Sequence, residues 1–140
     1  MEEGIDMNLD KLVEMLDKAL KDEKEAELFY TEVLKATNDY LVREAFVEAR
    51  HDEREHIVKI SDLYRDLTGK SPVITGVLPE KVTNIKEAVQ KAIKGEEAAI
   101  RDYLEIINYS TLEKVDRVIY EIRNDEIVHL EKFQALYHTL

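Results

Sequence analysis

"RHDEREHI", residues 50–57, sets seven charged or ionisable side chains inside a stretch that otherwise has the apolar spacing of an amphipathic helix. If every charge pointed outward, this would be a solvated face. Helical phase divides the run differently. Glu53 and His56, at i and i+3, share the face of Ala49 and Ile60. His51, Arg54 and Glu55 fall on the outer face, and Asp52 sits at its edge. The pattern returns as "DEIVH", residues 125–129, where Glu126 and His129 repeat the inward pair with most of the outward charge gone. What makes acids and imidazoles tolerable on a core-facing stripe therefore decides the fold.

Around this stretch, Val42, Phe46, Ala49, Ile60, Leu63 and Leu67 recur at three- and four-residue steps and predict a helix that ends at Gly69. An earlier stripe from Leu9 to Leu34 predicts a first helix, capped by Asn8 and closed near Asn38 in a left-handed conformation. A third runs from Ile85 to Ile107 behind Asn84, with Glu87 three residues on. The fourth follows Ser110–Glu113, "STLE", read as a capping box, and carries Val115, Ile119, Ile122, Phe133 and Leu136. Between the second and third lies "KSPVITGVLPEKV", residues 70–82, which has no helical period and holds both prolines. Two tight hairpins and one long connection predict an all-α antiparallel four-helix bundle with a crossover between helices 2 and 3. A shift of 73 residues superposes the halves, pairing Ala19 with Ala92, Ala26 with Ala99, Tyr30 with Tyr103 and Arg50 with Arg123, so the bundle is an internal two-fold repeat of helical hairpins.

Composition bounds the function. The 140 residues, expected as a single domain over 1–140, are 44% hydrophobic and 36% charged, with a formal charge of −11. That charge disfavours nucleic acid and anionic membrane as partners, since both select basic surface. The absence of cysteine removes disulfides, thiolate metal sites and iron–sulfur clusters. No apolar run reaches the roughly 18 residues of a membrane span. The start "MEEGIDMN" is acidic rather than a signal peptide, so a cytoplasmic location is expected.

Each stripe is interrupted at its middle by acid. Glu23 stands between Leu20 and Ala26 in the first helix, and Glu96 between Ile93 and Ile100 in the third. Glu53 with His56, and Glu126 with His129, do so in the second and fourth. Each acid lies about fifteen residues from its hairpin turn, roughly 22 Å at helical rise, so all four share one level. Bare carboxylates in a core cost several kcal/mol each unless paired or metal-bound, and no Lys or Arg lies on the stripes at this height. Two divalent cations balance four carboxylates, with an imidazole capping each. Glu48-x-x-His51 also fits the Glu-x-x-His spacing, but it lies off the inward face, and its repeat partner is Asn124. Asp52 and Asp125, directly before the candidate ligands, can reach the histidine of the opposite half. Tyr30 and Tyr103 lie seven residues after Glu23 and Glu96, on the same face, to hydrogen-bond the carboxylates or to pack. Arg50 and Arg123 are expected at the surface.

This donor set, with "KDEKEAELFY" and "KGEEAAIRDY" around Glu23 and Glu96, resembles the di-iron domain of rubrerythrins in the ferritin-like superfamily. The resemblance spans all four helices and the crossover. It implies two metal ions, iron first with manganese or zinc as alternatives, and no haem, since Arg54 stands where bacterioferritins have their haem-ligand Met. It implies Glu53 and Glu126 as bridging ligands, Glu23 and Glu96 as further carboxylate ligands, and His56 and His129 as terminal ones. Rubrerythrins reduce hydrogen peroxide, or oxidise Fe(II) with dioxygen or peroxide, and commonly form dimers. A homodimer is expected here, with peroxide or dioxygen as substrate. Two departures stand out. No cysteine-ligated rubredoxin module is present, so a rubredoxin-like electron donor is expected to be a separate protein. The extra glutamate that rubrerythrins carry one turn after the third-helix ligand is Ala99 here, and Glu97 points elsewhere. The alternatives are a protein that binds or sequesters iron or manganese without turnover, and a di-iron oxygenase acting on an organic substrate through an apolar channel.

Overall fold

The computed structural model describes residues 7–140. The acidic start read above for a missing signal peptide lies mostly outside the described residues. Four helices follow one another: α1 (Leu9–Ala36), α2 (Tyr40–Thr68), α3 (Ile85–Tyr109) and α4 (Glu113–Tyr137). None is long and apolar enough to cross a membrane. α1 with α2, and α3 with α4, form the two expected hairpins; α2 packs on α4 and α1 on α3.

Local chemistry sets the helix ends. Asn8 accepts from the Lys11 N–H at 3.1 Å and Asn84 from the Glu87 N–H at 2.9 Å, as the sequence predicts. Gly69 ends α2 at φ 75°, its N–H on the Arg65 carbonyl at 2.8 Å. Two expectations change. Asn38 takes no left-handed conformation; α1 ends at Thr37 in an extended conformation, and Asp39 caps α2 through the Val42 N–H. This tight turn needs no αL residue because the Arg43 guanidinium donates to the free carbonyls of Leu34 and Thr37. Ser110 does not cap α4. It terminates α3, and its hydroxyl accepts from the Leu112 N–H at 3.0 Å within the turn, so α4 starts behind Leu112 with no side-chain cap.

The core consists of two apolar clusters separated by a polar layer. One holds Phe29, Tyr30, Val33, Phe46, Val89 and Phe133. The other holds Leu12, Leu16, Leu20, Ile60, Tyr103, Ile119 and Ile122. Each fully buried Leu, Ile or Phe contributes about 1.5–3 kcal/mol, so the two clusters carry the hydrophobic stabilisation that the layer between them lacks. The two-fold is broken in their texture. Phe46 and Phe133 stack at 4.6 Å with the Tyr30 ring edge-on to both, where the repeat-related positions are Ile119 and Ile60. The crossover packs Ile74 against the second cluster and Val82 against the first, and so runs the length of the bundle past the polar layer.

Candidate metal centre

The polar layer consists of Glu23, Glu53, His56, Glu96, Glu126 and His129, every one 2% exposed or less. Each comes from mid-helix, where the stripe that carries its apolar neighbours inward carries it inward too. His56 turns Nδ1 toward Glu53 at 3.0 Å and toward Glu23 and Glu126 at 3.5 Å. His129 turns Nδ1 toward Glu96 and Glu126 at 3.2 Å and toward Glu53 at 4.0 Å. Two donor sets result: Glu23, Glu53, His56 and Glu126; and Glu53, Glu96, Glu126 and His129. In each, one atom per residue lies within 4.8 Å of the others. The sets overlap in Glu53 and Glu126 alone.

The groups around the layer are crossed between halves. His56 Nε2 meets the Asp125 carboxylate at 2.9 Å, and His129 Nε2 meets Asp52 at 2.8 Å. Tyr30 donates to Glu96 at 2.7 Å, and Tyr103 donates to Glu23. Each hairpin thus orients the other's donors. Arg50 and Arg123 are half-buried and touch no carboxylate of the layer: Arg50 donates to the Thr31 hydroxyl, and Arg123 to the Ile100 carbonyl. Glu97 is exposed, and Ala99 lines a cleft beside the carboxylates. His51 stands on the surface near Asp52 and Glu55 at 3.7 and 3.9 Å, a loose and exposed group.

Sequence reasoning missed Glu27. It is 8% exposed, one turn beyond Glu23, and held by Lys24 and by Arg54 of α2, both at 2.7 Å. Burial raises its pKa, but the two cations outweigh that and hold it below the usual carboxylate range. The inward phase of α1 was the available signal. The repeat hid it, because position 100 is Ile. Arg54, read as an ordinary outer-face residue, is the partner that makes this acid tolerable.

Electrostatically the layer asks for cations. Burial, then the charges of Glu23 and Glu96, push Glu53 well above the ordinary carboxylate range; burial, then Glu23, Glu53 and Glu96, do the same to Glu126. Burial disfavours charge on His56, yet Glu23, Glu126 and Asp125 raise it to about 10; His129, facing Glu126 and Glu96, rises to about 11. Burial and neighbouring carboxylates keep both tyrosines as phenols. One oxygen each of Glu23, Glu53, Glu96 and Glu126, with His56 Nδ1, is buried without a hydrogen-bond partner. Unpartnered buried donors in two overlapping sets fit a metal pair, and oxygen and nitrogen ligands suit iron, manganese or zinc.

The model that describes the rubrerythrin family matches residues 14–137. The chain belongs to that family. It resembles an uncharacterized Bacillus subtilis protein, YhjR, with 42% identity over 52 residues; the matched stretch covers 37% of this chain and 36% of YhjR. The structure is similar to a hypothetical protein from Pyrococcus furiosus, TM-score 0.81 at 22% identity over 95% of each chain. It is also similar to a two-domain protein from Anabaena variabilis that contains a ferritin-like domain, TM-score 0.77 at 17% identity, over 94% of this chain and 37% of that one. At these identities both establish the ferritin-like bundle and nothing further. For this rubrerythrin-family chain, the buried carboxylate–histidine layer is compatible with a di-metal site.

Proposed function

We propose that the chain is a di-iron oxidoreductase that reduces hydrogen peroxide or dioxygen as Fe(II) is oxidised. The observation that carries this reading is the pair of donor sets overlapping in Glu53 and Glu126. One metal would be held by Glu23 and His56, the other by Glu96 and His129, with the two shared carboxylates between them. Four carboxylates match the charge of two divalent ions, and two iron ions supply the two electrons that convert peroxide and two protons to two waters.

The protein's own contributions follow from the crossed contacts. Asp125 and Asp52 accept from the Nε2–H of His56 and His129, fixing the tautomer that leaves Nδ1 free to bind. Tyr30 and Tyr103 keep protons at their hydroxyls, on Glu96 and Glu23, beside the buried carboxylates. The cleft that exposes Ala99 provides a way in for substrate. The family resemblance supports a separate electron-donor protein for re-reduction and a homodimer. Stopped-flow mixing of the Fe(II)-loaded protein with peroxide tests the assignment. Oxidation should be at least a hundredfold slower in Glu53→Ala; equal rates would overturn the assignment.

A further inference from the structure

A cleft of about 470 Å³ opens between α1 and α3 and reaches the polar layer, with Glu23, Glu53, Glu96 and Glu126 along its floor. A water molecule takes about 30 Å³, so peroxide or dioxygen uses a small part of this space, whereas the volume falls within the roughly 300–1,000 Å³ of organic-ligand pockets. Its exposed lining is mostly apolar. Ala19 and Ala26 of α1 face Ala92 and Ala99 of α3, with Phe29 at one end.

Gly95 marks the same wall. It sits inside α3, where glycine costs about 0.5–1 kcal/mol relative to alanine. It is not among the glycines with positive φ, and a Cβ built on it would meet nothing within 4 Å. Neither backbone conformation nor close packing calls for it; what the missing side chain leaves is room at the mouth.

The rim sets the charge preference. Lys18 bridges α1 to α3 through Asp102 at 3.3 Å, with Asp22 at 2.7 Å. Lys91 pairs with Glu80 of the crossover and lies over the Phe29 ring at 4.7 Å. Arg101 faces Asp102 at 3.8 Å. Lys18, Lys91 and Arg101 thus each already face a carboxylate, so the rim offers an anion no free partner. Leu78, 87% exposed on the crossover, stands at the mouth as an apolar contact with little to cover it.

We propose that this cleft binds a small, uncharged organic molecule with an apolar body, seated against the carboxylate layer. The proposal rests on the metal-centre reading only for the neutrality of the floor. N-phenyl-1-naphthylamine, a neutral dye that brightens in apolar sites, is the probe, and its 8-sulfonate is the anionic match. Titrations use the protein as isolated, with metal content measured on the same samples. One saturable site per chain is expected for the neutral dye, at least tenfold tighter than for the sulfonate. Affinity should fall at least tenfold in Ala99→Phe and in Gly95→Leu, each with wild-type metal content and helical circular dichroism. Gly95→Leu, on the open wall, keeps the test intact if Ala99→Phe misfolds. No saturable site, an equally tight sulfonate, or unchanged affinity in a folded variant overturns the proposal. Metal without dye binding removes the cleft proposal alone; dye binding without metal removes the metal-centre reading and leaves the cleft.

Discussion

Without bound metal, stability should fall with rising pH. In the metal-free layer the histidines titrate at about 10 and about 11, against about 6.5 in the unfolded chain. The stabilisation from these raised values is fully present below pH 6.5 and is lost as pH climbs through 10 and 11. Between those limits the folded state holds two more protons than the unfolded one. Each such proton lowers stability by about 1.4 kcal/mol per pH unit. From pH 7.5 to 9.0 the two histidines together cost about 4 kcal/mol, a large part of the roughly 5–15 kcal/mol a domain has. Glu53 and Glu126, also raised, act in the same direction above the ordinary carboxylate pKa. In the loaded protein the donors are already deprotonated, so this slope should vanish. Urea denaturation followed by circular dichroism, at pH 6.0, 7.5 and 9.0, with EDTA or with Zn(II), reads the difference. A flat metal-free curve, or metal-free and loaded proteins of equal stability at pH 9.0, refutes the reasoning.

Other perturbations probe the surroundings of the layer. Asp52→Ala and Asp125→Ala should each weaken Zn(II) binding about 10–100-fold in a chelator competition, since each removes the acceptor that orients the opposite histidine. Tyr30→Phe and Tyr103→Phe should each cost about 1–3 kcal/mol in chemical denaturation, the range for leaving a buried polar atom without its partner. The two should be similar, and a large asymmetry would argue against equivalent halves. Phe133→Ala should lower stability by about 3–5 kcal/mol through the cavity left beside Phe46 and Tyr30, with metal content unchanged.

The bundle was legible because one rule, apolar residues at helical spacing, acts along nearly the whole chain. The repeat then separated donors from chance acids: Glu53 and Glu126 have echoes, whereas Glu48 and His51 do not form a repeated pair. Exceptions to the repeat stayed hidden. Glu27 is buried because Arg54 reaches it from another helix, a pairing that spacing within one helix does not encode. The turns misled for a related reason. Asn38 and Ser110 are good capping residues, but the free carbonyls at the end of α1 were taken by the Arg43 side chain, and the Ser110 hydroxyl by its own turn. The α1–α3 cleft was out of reach as well, because alanines on a stripe read as close packing until the distance between the helices is known.

The central claim is that the six buried donors hold two metal ions. Anomalous diffraction from crystals of protein made in iron-replete cells, recorded on both sides of the iron edge, tests it most directly. The account predicts two peaks about 3.5–4 Å apart, one beside Glu23 and His56 and one beside Glu96 and His129, with Glu53 and Glu126 between them. An empty layer in protein never exposed to chelator, or a peak at the exposed His51 instead, would contradict it.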